Sequence, residues 1–167
     1  MLSSGTFLDT LRFRFHLARQ MQVSPHHVEA QVVGEHGTSQ VFLWSSARVA
    51  GTRTPDVIAG EAPDAFRRRV EQEVRYANIT IIEGTGASQL GIGMATGRIV
   101  EAILRDERAV IPIGSFNPKY GVTLSLPSVI GHEGVTRILE PDMSEEERTA
   151  LQRSADTLKN ALAQLKD

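Results

Sequence analysis

Apolar positions near the start of the chain recur at helical spacing. Leu8, Leu11, Phe15 and Leu17 or Ala18 predict a helix over residues 6–20 with an apolar stripe, and Ser4 or Thr6 can cap its start. "SPHH" (24–27) reads as a turn. "VEAQVVG" (28–34) alternates well enough for a strand, "QVFLWSSARVAG" (40–51) predicts a second, and "TRTPDVIAGEAP" (52–63) reads as a loop punctuated by Pro55 and Pro63. From Asp64 to Glu83 the helical period returns, with Phe66, Val70, Val74, Ala77 and Ile81 as its core stripe. "GTGASQLGIG" (84–93) interrupts it, and "MATGRIVEAILRDE" resumes a helix to about Glu107.

The last third changes character. "AVIPIGSF" and "GVTLSLPSVIG" read as strands joined by a turn at "NPKYG", and "VTRILEP" as a third strand after a turn at "GHEG". A final helix starts at "SEEE", where Ser144 and Glu147 have capping-box spacing, and Leu151, Ala155, Leu158, Leu162 and Leu165 carry its apolar face. Strands joined by short turns pair antiparallel, and segregated helices and strands predict an α+β fold: an antiparallel sheet with long helices packed on it and a C-terminal helix.

The 167 residues suffice for one domain, 1–167, with a real core. A net charge of −2 leaves no nucleic-acid footprint. The basic run "FRRRV" (66–70) is followed by Glu71 and Glu73, so it reads as a solvated helix face, with a phosphate or partner patch as the alternative. The absence of cysteine excludes disulfides, zinc-thiolate sites and thiol nucleophiles. No apolar run reaches the roughly 18 residues that span a bilayer, and the start lacks a signal-peptide pattern, so no membrane partner and a cytoplasmic location are expected.

Three groups of residues could carry chemistry. Gly84 and Gly86 have GxG spacing ahead of a helix, but Gln89 stands where a dinucleotide fingerprint needs its third glycine, so a helix break with close backbone approach is the alternative to a phosphate cradle. His26, His27, His36 and His132 lack metal-ligand spacing, and no metal is expected. Asp9 and Arg12 lie three apart on one helix face, and His36 stands between Gly34 and Gly37. Two readings stand for this last set. One is a surface ion pair plus an incidental turn histidine. The other is a proton-shuttling histidine, oriented by a carboxylate, beside an arginine whose fork fits a substrate carboxylate.

"SSGTFLDTLRFRF", "VEAQVVGEHGTSQVFLWSSARVAG", "EGTGASQLGIGMATGRIVEAIL" and "SLPSVIGHEGVTRILEPDMSEEERTALQRSADTLKNAL" together resemble the C-terminal catalytic half of the L-lactate/malate dehydrogenase family, its bacterial L-lactate members above all. The LDxxRFR and GEHG motifs at this separation are specific to it. The resemblance implies that His36 is the proton donor and acceptor, Asp9 its carboxylate partner, and Arg12 the group that grips the substrate carboxylate. It implies Ser4 at the nicotinamide carboxamide, Ile92 against the nicotinamide ring, and Ser88 beside the substrate, where lactate-type members have threonine. The implied cofactor is NAD, and the implied partners are a small 2-hydroxy or 2-oxo acid and further copies of the chain in a homo-oligomer.

The chain also departs from the family pattern. Thr38-Ser39 replace the common Asp-Ser after GEHG. Arg14 stands at the position of an activator-binding arginine, but Glu29 replaces the matching histidine. The Rossmann half, with most of the NAD site and the loop that separates lactate from malate, is not in this sequence. The expectation is therefore the catalytic half of an NAD-dependent L-2-hydroxyacid dehydrogenase, lactate- or malate-type, inactive without a Rossmann half and exposing apolar surface on the first helix and on "GASQLGIG". The alternatives are a non-catalytic oligomerisation or interaction domain, and a nucleotide-binding module using Gly84 to Gly93.

Overall fold

The structure, a computed structural model, describes residues 2–54 and 62–165. Helix α1 (Phe7–Met21) leads through a 3-10 turn (Pro25–His27) to five two-residue strands: β1 (Val28–Glu29), β2 (Val32–Val33), β3 (Val41–Phe42), β4 (Arg48–Val49) and β5 (Thr52–Arg53). Helices α2 (Pro63–Arg75), α3 (Ala77–Thr85) and α4 (Gln89–Leu104) follow. Then come β6 (Ala109–Asn117), β7 (Val122–Gly131), β8 (Gly134–Ile138) and α5 (Glu145–Gln164). All strand pairings are antiparallel: β1-β4-β5, β2-β3 and β6-β7-β8. This is the expected α+β architecture. Among the described residues no helix is long and apolar enough to cross a membrane.

Helix α1 sits at the centre, and its phase differs from the expected stripe. Its buried residues are Phe7, Asp9, Thr10, Phe13, Leu17 and Ala18, whereas Leu11 and Phe15 face outward. The buried row 6-10-13-17 has helical spacing but begins with two threonines, which a hydrophobic pattern cannot flag. Those hydroxyls are not idle. Thr6 Oγ1 donates to the Val32 carbonyl at 2.5 Å, and Thr10 Oγ1 accepts from Val32 N–H at 2.9 Å. Thr6 is the residue before the helix, yet neither it nor Ser4 makes the expected side-chain cap, because Thr6 is committed to β2.

Among the described residues the core divides into three apolar clusters, two of which include α1. Phe13 and Leu17 pack with Val32, Phe42, Trp44 and the α2 residues Phe66, Val70 and Val74. The rings of Phe13 and Trp44 meet edge to face, with centroids 4.6 Å apart. Phe7 packs with Ala95, Ile99 and Ala102 of α4 and with Ile111, Ile113 and Ile130 of the β6-β7 hairpin. Val33, Val41, Leu43, Leu124 and Leu126 meet Leu151 and Ala155 of α5.

Other expectations need correction. The two predicted strands at 28–51 are four short ones, broken where the chain turns between sheets. Thr52–Arg53 is strand and Pro63 opens α2, while residues 55–61 lie outside the described residues. The single helix to Glu83 breaks at Tyr76. Its stripe ends with Val74, since Ala77 is only partly covered and Ile81 is exposed. Only 86–88 separate α3 from α4, so most of "GTGASQLGIG" is helical. On α5 the capping box forms, and Leu151 and Ala155 are buried, but Leu162 and Leu165 are exposed. The basic run lies along α2, where Arg67 stacks over Trp44 and Arg69 over Phe66 and beside Glu73. Apolar exposure falls where expected, with Phe15 on α1 and Leu90 on α4 uncovered, and extends to Met94 of α4 and to Ile79 and Ile82 of α3.

Candidate active site

The site begins with the threonine staples. They fix α1 on β2, three residues before the loop that carries His36 begins to turn away at Glu35. Asp9 lies one residue before Thr10 on the same helix and is buried, with 2% of its surface exposed. The fold therefore puts a carboxylate in the core, which is costly unless its oxygens are taken. Both are. Oδ1 accepts from Arg12 at 3.3 Å, and Oδ2 lies 2.7 Å from His36 Nδ1. The sequence separation of 27 residues between Asp9 and His36 closes to one short hydrogen bond.

The electrostatics follow from that geometry. The hydrogen bond to Asp9 raises the His36 pKa above the ordinary imidazole range, and the Asp9 and Glu35 charges act in the same direction. Partial burial and the Arg12 charge oppose them. The His36 side chain is 62% exposed, so one edge of the ring is held and the rest is open. An ionised carboxylate only accepts, which keeps the proton on Nδ1 and leaves Nε2 as the nitrogen that can gain or lose one toward solvent. The surface-pair reading fails here, because Asp9 is neither exposed nor separate from the histidine.

The other expected site residues are not bonded into this triad among the described residues. Ser4 precedes α1 and its carbonyl accepts from Phe7 N–H at 3.1 Å. Ser88 precedes α4 without a capping hydrogen bond, and Ile92 lies on the first turn of α4, 37% exposed. That turn rests on α1. A Cβ built on Gly91 would stand 3.4 Å from Leu8, the neighbour of Asp9. Ser88 and Ile92 therefore flank the helix that carries Asp9 and Arg12. Arg14 Nε donates to the Ala30 carbonyl at 2.9 Å, and burial lowers its pKa while nearby Glu29 raises it.

Sequence reasoning missed the supports of the site. Thr6, Thr10, Ser125 and Ser154 are fully or almost fully buried and polar. Thr6 N–H reaches Ser125 Oγ at 3.1 Å, and Glu35 N–H reaches Ser154 Oγ at 2.8 Å. Their only advance sign was small hydroxyl residues in apolar stripes, a pattern shared by many residues without such a role.

Residues 6–167 match the family described as lactate/malate dehydrogenase, alpha/beta C-terminal domain. The L-lactate dehydrogenase of Chloroherpeton thalassium is 42% identical over 166 residues, a match covering 98% of this chain and 54% of the relative. That of Thermus aquaticus is 44% identical over 173 residues, covering 99% and 56%. Among solved structures, a lactate dehydrogenase from a Medee basin deep-sea metagenome library superimposes with a TM-score of 0.92 at 32% identity, covering 99% of this chain and 55% of that one. The chain spans about half the length of the curated relatives it matches.

Proposed function

Since the chain belongs to the lactate/malate dehydrogenase family, in its alpha/beta C-terminal domain, we propose that it is the catalytic half of an NAD-dependent L-2-hydroxyacid dehydrogenase of the L-lactate type. One observation carries the reading: Asp9, buried and shared between Arg12 and His36, whose Nδ1 it holds at 2.7 Å.

In this reading His36 Nε2 takes the hydroxyl proton of the 2-hydroxy acid as the C2 carbonyl forms, and returns it in the reverse direction. Asp9 keeps the ring in the productive tautomer and favours its protonated form, so the proton has somewhere stable to go. Arg12 bonds to Asp9 through Nη1, and the rest of its guanidinium fork is the group we assign to the substrate carboxylate. Ser88 offers a hydroxyl free of any capping role, and we assign it to the substrate side. When bound, the nicotinamide exchanges a hydride with C2. An exposed apolar Ile92 on the first turn of α4 and a polar Ser4 just before α1 suit a flat ring with a carboxamide edge. Apolar residues left uncovered on α3 and α4, among them Ile79, Ile82, Leu90 and Met94, suit the packing of a further domain.

The test joins this chain to the N-terminal portion of the Thermus aquaticus relative and follows NADH-dependent reduction of pyruvate. Turnover is expected, with His36→Asn lowering kcat/KM by about 10²–10⁴. Absence of turnover, or turnover indifferent to His36→Asn, overturns the proposal.

A further inference from the structure

The loop that carries His36 has little of its own to define it. The His36 ring is mostly exposed, so packing does not fix it, and the residue stands between two glycines. On the strand side the loop is secured at Gly34, whose N–H donates to the Ser125 carbonyl at 2.8 Å and whose carbonyl accepts from Ser125 N–H at 2.9 Å. On the far side the anchor comes from α5. Ser154, fully buried, accepts from Glu35 N–H at 2.8 Å and lies 3.1 Å from Ser39 Oγ. Ser39 Oγ bonds to the Glu35 carboxylate, and Ser39 N–H donates to the same carboxylate at 3.2 Å.

The direction of each bond can be assigned. A carboxylate only accepts, so the single hydroxyl proton of Ser39 goes to Glu35. Ser39 Oγ must then be the acceptor toward Ser154, which commits the Ser154 proton as well. The result is a closed ring in which Ser154 donates to Ser39, Ser39 to the Glu35 carboxylate, and Glu35 N–H to Ser154. Every hydroxyl gives one hydrogen bond and takes one, and such rings polarise mutually. Glu35, at the centre of the ring, is the residue next to His36.

We propose that Ser154 is a positioning residue of the site: by tying α5 to residues 35–39 it sets the direction in which the His36 ring meets Asp9. Its catalytic meaning rests on His36 being the proton relay, but the positioning itself does not. A ring measurement without turnover keeps the two failures apart.

The experiment follows the five histidine rings of the chain by ¹H–¹⁵N NMR across pH. The charged groups that face His36 are Asp9 and Arg12 on α1 and Glu35 on its own loop. None of them is substituted in Ser154→Ala, and the Nδ1 proton signal, which reads the Asp9 bond itself, separates a turned ring from a displaced Glu35 charge. Ser154→Ala should move the His36 midpoint downward and weaken or abolish the hydrogen-bonded Nδ1 proton signal. Ser39→Ala should act in the same direction, and the double variant should add little, because both break one ring. Ser128→Ala is the control. Ser128 is also fully buried, bonded to the Leu126 carbonyl at 2.9 Å on β7, and its loss should leave His36 unmoved. A His36 titration unchanged in Ser154→Ala, or shifted equally by Ser128→Ala, overturns the proposal. Should Ser154→Ala fail to fold, an unchanged titration in Ser39→Ala overturns it.

Discussion

Gly34→Ala tests how tightly the His36 loop is seated on α5. Gly34 has φ +88°, and a Cβ built there would stand 2.6 Å from Ser154 Oγ. Two costs follow. A side chain in this backbone region costs about 1–2 kcal/mol. The new methyl must also push Ser154 Oγ away, leaving Glu35 N–H without its acceptor, for about 1–3 kcal/mol more. The sum is roughly 2–5 kcal/mol by these figures. Gly51→Ala separates the two. Gly51 has φ +79° but nothing within 4 Å of its built Cβ, so only the backbone cost of about 1–2 kcal/mol applies. The chain's single tryptophan, Trp44, is buried among Phe13 and Phe66 and reports unfolding by fluorescence. In urea titrations Gly34→Ala should cost about 1–3 kcal/mol more than Gly51→Ala, the margin being the orphaned donor. Equal costs would refute the argument, since the glycine would then be required by its backbone angle alone.

Two further outcomes follow from the same contacts. Glu147 accepts from Ser45 N–H and Ser144 N–H, each at 2.9 Å, and from Ser45 Oγ, whereas Ser144 Oγ accepts the cap bond from Glu147 N–H and donates at 3.3 Å to the exposed Glu146. Ser144→Ala should therefore cost about 0.5–2 kcal/mol and Glu147→Ala more, and a reversed order in thermal unfolding counts against the assignment. His36 is held above its ordinary pKa by Asp9, so its contribution to stability is fully present below the unfolded value of about 6.5 and fades as pH rises through the folded midpoint. The stability gap between the unaltered chain and Asp9→Asn should be wider at pH 5.5 than at pH 8.5, and a gap independent of pH would show that the bond is not formed in solution.

What could be read from the sequence was what short-range contacts decide. The α5 capping box is completed within four residues, and the β6-β7 hairpin is closed by its own turn, so both were legible. The α1 stripe was misphased because its buried face carries Thr6, Asp9 and Thr10. Their partners at Val32, Ser125 and His36 lie 22 to 119 residues away. Ala77 and Ile81 continue the α2 period in sequence, but among the described residues Ile81 is left exposed, so the periodic signal had no core to match. Of the site, the spacing of Asp9 and Arg12 gave a shared face and the family resemblance gave His36. Nothing in the sequence marked Ser154.

That omission bears on how the site is built. The Asp9–His36 bond involves a mostly exposed ring, so after solvent screening it contributes about 1 kcal/mol. Ordering even one backbone residue costs about 1–2 kcal/mol, so this bond cannot by itself organise a loop with glycines on both sides of the histidine. The order must come from the two anchored bodies. Helix α1 is held to β2 by Thr6 and Thr10, and the loop is held to the hairpin by Gly34 and to α5 by Ser154. The 2.7 Å contact is where the two bodies meet. The relay proposed for His36 would thus draw its geometry from the buried hydroxyls of Thr6, Thr10 and Ser154. Loosening either anchor should therefore disturb the relay before it disturbs the fold.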